Sequence, residues 1–300
     1  MSKGILLMNK FQWLIIGGVL LLTLGLYAAT QNQIFGSNKS KPATEEHSAD
    51  DGHNHGAETG TAAALSTDTI LFHAKEALNA DQKTRLGFLE SSITRGDVSE
   101  QKQHLYHQLA AFWRDTARIF EPFAWYTAEA ARLENSEKSL TFAAHLFLNN
   151  LRTEENPALK SWKATQSKDL FERSLKLVPG NDSSQIGLGA TYLYGGLESP
   201  MEGILKIRAV AERDSNNLFA QLTLGEASTI SGQLDKAVER YLKVVRMAPD
   251  NLQAIFALAD VYERMGNKKE AIVWYGKAVP LIPVPEYRKE VEKRIAELKK

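Results

Sequence analysis

The sequence predicts an all-α fold, a solenoid of stacked helical hairpins, on two observations. One pattern of small, aromatic and helix-ending residues occurs twice at a spacing of 34 residues near the end of the chain. Within each copy, the large apolar residues recur at helical spacing. A single hairpin of this kind cannot bury its apolar face alone, so neighbouring units must stack to form a continuous core.

The repeated pattern has a direct physical interpretation. Ile255, Leu258 and Tyr262 follow each other at i, i+3 and i+7, which places them on one face of a helix. Gly266 is expected to end that helix and Pro283 to end the next one. The first copy reads Leu224, Gly225, Gly232, Ala237, Tyr241, Val244 and Pro249, and the second reads Leu258, Ala259, Gly266, Ala271, Tyr275, Ala278 and Pro283.

This pattern resembles the tetratricopeptide repeat (TPR) family, in which pairs of antiparallel helices stack edge to edge. The resemblance implies a TPR α-solenoid of about three to four repeats plus a capping helix. A charged helix over 284–300, with Val291, Ile295 and Leu298 as a narrow apolar stripe, is the predicted cap. The predicted repeats occupy 136–283, divided as 136–181, 182–217, 218–251 and 252–283.

Two regions depart from the regular repeat. Residues 67–135 form a preceding helical region, in which Ala124, Ala128 and Ala131 resemble the small positions of a second repeat helix. This region is therefore a possible divergent repeat. The repeat 136–181 carries about a dozen extra residues around 152–163. These form either a loop that extends a binding surface or a lengthened helix, and both interpretations stay open.

The N-terminal segments predict export and attachment to a membrane. Residues 1–10 form a short cytoplasmic N-terminus, and residues 11–30 contain no charge over a length that matches a bilayer core. We expect a transmembrane helix there, with Trp13 and Tyr27 near its ends. The alternative is a cleaved signal peptide. Removal of residues 1–29 would then leave a secreted or periplasmic soluble protein. Residues 31–66 are polar and predict a disordered linker.

Three histidines in that linker raise the possibility of metal binding. His47, His53 and His55 stand among carboxylates, and imidazole is a good ligand for Zn, Cu and Ni. Their spacing does not form a closed structural site, and a flexible segment loses entropy when it coordinates a metal. A solvated spacer is the favoured interpretation, and a metal-binding accessory role is an alternative.

Composition and motifs narrow the functional class. The formal net charge is zero, which argues against nucleic acid as the main ligand. The chain has no cysteine, so thiol chemistry and thiolate metal sites are excluded. No Gly-x-Ser-x-Gly, His-Glu-x-x-His or phosphate-binding glycine loop occurs in the sequence. We therefore expect a protein that is not an enzyme and needs no cofactor.

The expected binding surface is the inner wall formed by the first helix of each repeat. Its residues mix apolar and acidic groups, which favours a protein or peptide partner with apolar anchors and some positive charge. Some of them, Leu222 above all, have core packing as an alternative role. The predicted partner-binding residues are Tyr194, Phe219, Leu222, Glu226, Phe256, Asp260, Glu263 and Arg264.

The sequence lacks the residues of one well-defined group of TPR domains. TPR domains that clamp the C-terminal carboxylate of chaperones use Lys and Asn at positions that Leu222, Glu226, Phe256 and Asp260 hold here. The sequence therefore does not predict that kind of capture.

The layout of the whole chain resembles a bacterial class in which one N-terminal span carries a periplasmic TPR domain, as in accessory subunits of secretion translocons and of cytochrome c assembly. The resemblance implies a single-pass protein of the bacterial inner membrane whose C-terminal domain is a periplasmic scaffold or adaptor. Self-association as a structural homo-oligomer is the other alternative.

Overall fold

The computed structural model describes residues 65–93, 99–197 and 199–300. Within these ranges the regular secondary structure is helical and contains no strand. The predicted segments 1–10 and 11–30, and nearly all of the linker 31–66 with His47, His53 and His55, lie outside the described residues. Among the helices that are described, none has the length and hydropathy needed to cross a bilayer.

Thirteen α-helices, one π-helical turn and one 3-10 turn follow one another along the described residues. They are α1 (Thr67–Glu76), α2 (Ala80–Ile93), α3 (Ser99–Ala111), the π-turn (Phe112–Ala117), α4 (Phe120–Glu134), α5 (Glu137–Leu151), α6 (Pro157–Leu177), α7 (Asp182–Gly195), α8 (Pro200–Arg213), α9 (Leu218–Ile230), α10 (Leu234–Met247), α11 (Leu252–Arg264), α12 (Lys268–Ala278), the 3-10 turn (Val279–Leu281) and α13 (Pro285–Leu298).

The helices pack as successive pairs. α5 packs with α6, α7 with α8, α9 with α10, and α11 with α12, and each pair also contacts the next. The first helices α5, α7 and α9 contact each other as well, so they form one continuous wall. The all-α solenoid of the sequence prediction is confirmed in the described part of the chain.

Asparagine begins the first helix of three consecutive repeats. The side-chain oxygens of Asn181, Asn217 and Asn251 accept hydrogen bonds from the backbone N–H group three residues later, at 2.8, 3.0 and 2.9 Å. These bonds satisfy one of the donors that every helix start leaves without an intrahelical partner. Gly232 and Gly266 end two of the first helices with φ of +73° and +74°, a left-handed conformation that suits glycine.

The extra residues of repeat 136–181 lengthen a helix. α6 begins at Pro157, where the side chain of Asn156 caps it, and continues for 21 residues. Its first turns are part of the core, because Trp162 is buried against the ring of Phe147 at a centroid distance of 5.4 Å. The indole N–H of Trp162 donates to the hydroxyl of Thr67 at 3.0 Å. The extension therefore holds α1 rather than forming a loop.

The region before the repeats is helical, as expected. Ala124, Ala128 and Ala131 are buried in one cluster with Ile70 of α1. Ser66, which the sequence assigns to the end of the linker, caps α1 by accepting a hydrogen bond from the backbone N–H of Thr69 at 3.1 Å. The described residues therefore begin with a capped helix that packs on α4.

Candidate partner-binding site

Four first helices contribute residues to one wall. The face is occupied by His145 and Leu148 on α5 with Arg152 just after it, by Ser183, Ile186 and Ala190 on α7, by Phe219, Leu222 and Glu226 on α9, and by Gln253, Phe256 and Asp260 on α11. In each helix the spacing is i, i+3 and i+7, which keeps the three residues on one face. Because the repeats stack, the faces of these helices lie side by side and form the inner wall.

A cavity of about 320 Å³ opens on this wall. Its size lies at the lower end of the range for small-ligand pockets. Leu148 and Leu222 are buried within its lining, whereas Asn149 and Gln253 are exposed at its edge. The residues that line the cavity are His145, Leu148, Asn149, Arg152, Ser183, Phe219, Leu222, Thr223, Glu226 and Gln253.

Glu226 is the centre of the polar contacts. Arg152 donates to both of its carboxylate oxygens, at 3.2 and 2.7 Å, and the hydroxyl of Tyr194 donates to one of them. The amide of Gln253 donates to the other oxygen at 2.9 Å. This carboxylate therefore accepts hydrogen bonds from α7 and α11 and from Arg152, the residue that follows α5.

The ion pair between Arg152 and Glu226 spans two repeats. Counted from the capping residues Asn181 and Asn217, Ala190 holds the same position in its repeat as Glu226 does in the next one. Ala190 is fully buried and has only a methyl group there. The long side chain of Arg152 reaches past the intervening repeat to Glu226 on α9. The guanidinium also lies 4.9 Å from the ring centre of Tyr194, a cation–π distance.

The same pair determines the charge state of its surroundings. Burial opposes the charge of Arg152, but the Glu226 carboxylate, together with Tyr194 and Tyr241, outweighs burial and raises the pKa of Arg152. Burial, and next the Glu226 charge, raise the pKa of the Tyr194 hydroxyl well above its usual value. Arg152 therefore stays protonated and Tyr194 stays neutral at any physiological pH.

His145 lies at one end of the cavity and is neutral. Its Nε2 hydrogen bonds with the hydroxyl of Ser183 at 2.9 Å, and its ring contacts Phe171 and Phe219 at centroid distances of 5.0 and 5.7 Å. Burial first, and then the charge of Arg152, lower the pKa of His145 to about 4. A histidine with such a pKa is a weak base at neutral pH.

The predicted site residues fall into two groups. Phe219, Leu222 and Glu226 line the cavity, and Tyr194 supports it through Glu226. Leu222 combines both roles that the sequence left open, because it lines the cavity and is 9% exposed in a core cluster. The remaining four residues, Phe256, Asp260, Glu263 and Arg264, are on α11 and are not part of the cavity lining.

The α11 residues are engaged within the chain. Phe256 is half-buried against the ring of Tyr275 at a centroid distance of 6.3 Å. Arg264 pairs with Asp260 at 2.8 Å. Glu263 accepts a hydrogen bond from Tyr275 at 3.1 Å and pairs with Arg294 of the capping helix α13.

These pairs are relevant to the charge that was expected of a partner. The sequence suggested that acidic residues of the wall would attract positive charge in a partner. Each of the three acids in question already has a cation partner: Glu226 pairs with Arg152, Asp260 with Arg264, and Glu263 with Arg294. These three acids are therefore compensated within the chain, and the positive charge expected of the partner stays a prediction.

Sequence reasoning missed the α5 side of the cavity. His145, Leu148, Asn149 and Arg152 were not assigned, because the irregular repeat 136–181 hid the register of α5. The available signal was the i, i+3, i+7 spacing of His145, Leu148 and Arg152, which matches that of the α9 wall. Phe142 lies on the same face, three residues before His145, and is 58% exposed.

The described residues offer no metal site. No group of three or more histidine or acidic side chains that could hold a metal ion occurs in this part of the chain. The linker histidines of the sequence prediction lie outside it.

Comparisons with known proteins agree with the repeat assignment. Residues 252–284 match the family model of the tetratricopeptide repeat. No curated protein matches the chain. Among solved structures, the chain is similar to YrrB, described as a TPR protein with an unusual peptide-binding site, at 17% identity over 68% of this chain and 97% of that one, with a TM-score of 0.40. It is also similar to MamA (residues 41 to the end) from Desulfovibrio magneticus RS-1, at 23% identity over 62% and 96%, with a TM-score of 0.42.

Proposed function

We propose that this chain, which carries a tetratricopeptide repeat at 252–284, is a scaffold or adaptor that binds a segment of another protein on its inner wall. The observation that carries the proposal is the cavity formed on α5, α7, α9 and α11, which has buried apolar residues in its lining and exposed amides at its edge. A concave site that combines apolar side chains with placed polar groups is a usual form of a binding site, and the lining of this cavity contains both. The aromatic Phe142 and Phe219 extend the contact surface along the same wall.

The chemistry of the cavity favours binding over catalysis. Ser183 and His145 are within hydrogen-bond distance, which is the arrangement of a nucleophile and its base. A base with a pKa of about 4 has little proton affinity at neutral pH, so it would activate the serine poorly. The ring of His145 is also packed between Phe171 and Phe219, where it contributes to structure.

Substitution of Phe219 by glutamate is expected to weaken partner binding about tenfold or more. The substitution removes apolar contact area and places a carboxylate beside the cavity without a free cation to pair with it. Crosslinking and pull-down of the full chain in its own membrane measure the effect. Leu205→Glu is the control, because Leu205 is an exposed apolar residue that lies on α8, outside the cavity lining.

Circular dichroism checks that both variants are folded. If the Phe219→Glu variant captures the same partner proteins as the Leu205→Glu variant, the inner wall is not the binding site. Loss in both variants would point to a surface other than this wall.

We propose further that residues 11–30 anchor the protein in a bacterial inner membrane and that the repeats act on the periplasmic side. The support is the uncharged stretch of twenty residues, whose length suits a bilayer. Alkaline extraction of membranes is expected to leave the full chain in the pellet and to release a variant that lacks residues 1–30. Release of the full chain would contradict the anchor.

A further inference from the structure

Every ionisable group that lines the cavity is neutralised inside the chain. Arg152 directs both terminal nitrogens to Glu226, and its Nε is buried without a hydrogen-bond partner in the described residues. Glu226 receives hydrogen bonds from three different side chains. His145 is the third ionisable group, and its Nε2 is already bonded to Ser183. The cavity therefore offers neither a free cation nor a free anion.

A charged side chain would gain nothing in such a cavity. It would lose hydration on entering, and an ion that is transferred to an apolar site without a counter-ion is strongly disfavoured. To find a counter-ion it would have to displace Arg152 or Glu226 from the other, which leaves a charge unpaired. An apolar side chain has no such cost and buries surface against Phe219 and Leu222.

The arginine–glutamate pair has a positioning role that explains its presence. It connects the α5 end of the wall to α9, while Tyr194 on α7 donates a hydrogen bond to the same carboxylate. The wall of the cavity is therefore fixed at three consecutive repeats by one polar cluster. These charges maintain the shape of the cavity rather than contacting a ligand as free ions.

We infer that the cavity selects one uncharged, apolar side chain of the partner segment, of leucine, methionine or phenylalanine size, and rejects acidic and basic side chains. This inference rests on the proposed function and specifies the chemistry of its anchor residue. It also predicts that the preference of the cavity can be changed by substitution, because removal of either Arg152 or Glu226 leaves the other charge without its partner.

The test uses a random 12-residue peptide library displayed on phage and selected on the immobilised full chain. Peptides enriched on the native chain are expected to share one apolar position. Replacing that residue by Asp or Lys is expected to weaken binding about tenfold or more. Phe219→Glu should remove the enrichment.

Two variants of the ion pair give opposite expected preferences. Glu226→Gln leaves Arg152 without its carboxylate and should favour the Asp version of the enriched peptide over the Lys version by about tenfold. Arg152→Met leaves Glu226 uncompensated and should favour the Lys version to a similar degree. Loss of the wall geometry alone would weaken both versions equally, so a reversal between the variants is specific to charge.

The outcomes separate the two proposals. Suppose that the peptides enriched on the native chain share an acidic or basic residue and are not enriched on the Phe219→Glu variant. That result would overturn the inference while the proposed function stands. Equal ranking of the Asp and Lys versions by both variants would also overturn it. Absence of any enriched peptide on the native chain would contradict peptide binding on the wall itself, and the inference with it.

Discussion

Replacement of Lys163 by methionine is expected to lower the free energy of unfolding by about 3 kcal/mol. Lys163 is 1% exposed, and its ammonium lies 2.9 Å from Glu121 and in contact with Glu154. Methionine has a similar length but no charge, so two half-buried carboxylates would lose their shared cation. Breaking a buried ion pair from one side is costly because the remaining charge stays desolvated.

The location of Lys163 explains why the effect should be large. The residue is on α6, Glu121 is on α4, and Glu154 is in the connection between α5 and α6. One buried cation therefore ties three segments together, and it also lies 5.5 Å from the ring centre of Phe120. Urea denaturation followed by circular dichroism measures the change.

The destabilisation should depend on pH. Burial opposes the ionised form of Glu154, but the hydrogen bonds from Lys163 and from the backbone N–H of Asn156 outweigh it and lower the pKa of Glu154. A depressed pKa stabilises the fold above the usual glutamate pKa, and this contribution is lost as the pH falls through the folded-state value. The difference between the native chain and Lys163→Met should therefore be smaller at pH 3 than at pH 7.

Two controls make this prediction specific. Lys160 is on the same helix, three residues earlier, and forms no ion pair with the described residues, so Lys160→Met should change stability by less than about 0.5 kcal/mol. Adding Glu121→Gln and Glu154→Gln to Lys163→Met should recover part of the loss, because the unpaired charges are then removed. Equal stability of Lys160→Met and Lys163→Met would contradict the buried cluster.

Substitution of Gly203 by alanine is expected to cost about 2 kcal/mol, because α7 and α8 approach each other at two glycines. A Cβ atom at Gly203 would lie 2.3 Å from the carbonyl oxygen of Gly189 and 3.0 Å from the Cβ of Tyr192. The first distance is far below van der Waals contact and involves backbone, so the two helices must move apart. The chemical denaturation midpoint of the variant measures the cost.

Gly276 provides the matched control. It is also in a helix, α12, but a Cβ atom there would meet nothing within 4 Å. Alanine has the higher helix propensity, so Gly276→Ala should stabilise the chain by about 0.5–1 kcal/mol. The two glycine-to-alanine changes therefore have opposite expected signs. A Gly203→Ala variant as stable as Gly276→Ala would disprove the close approach of α7 and α8.

The regular repeats could be predicted from the sequence because their signals are local. Gly266 and the large face of Ile255 and Leu258 depend on residues within one unit, and the structure places them as expected. The lengthened α6 was also within reach of local signals. Asn156 followed by Pro157 is a typical helix start, and this pair favours a helix over a loop.

The polar centre of the site could not be predicted in the same way. Arg152 and Glu226 are 74 positions apart in the sequence, and their contact depends on how far each repeat advances and turns. Sequence spacing predicts which residues share a face, whereas the pairing of charges across faces is a result of packing.

Site-specific photocrosslinking tests the central claim, partner binding on the inner wall, most directly. A photoreactive phenylalanine analogue at position 142 retains the aromatic shape of Phe142 on the face that also carries His145, and the same analogue at position 88 replaces the exposed Phe88 of α2. We predict a crosslinked partner from position 142, reduced by Phe219→Glu, and none from position 88. Equal crosslinking from both positions would contradict binding on the inner wall. A crosslinked product from position 142 that is unchanged in the Phe219→Glu variant would contradict it as well.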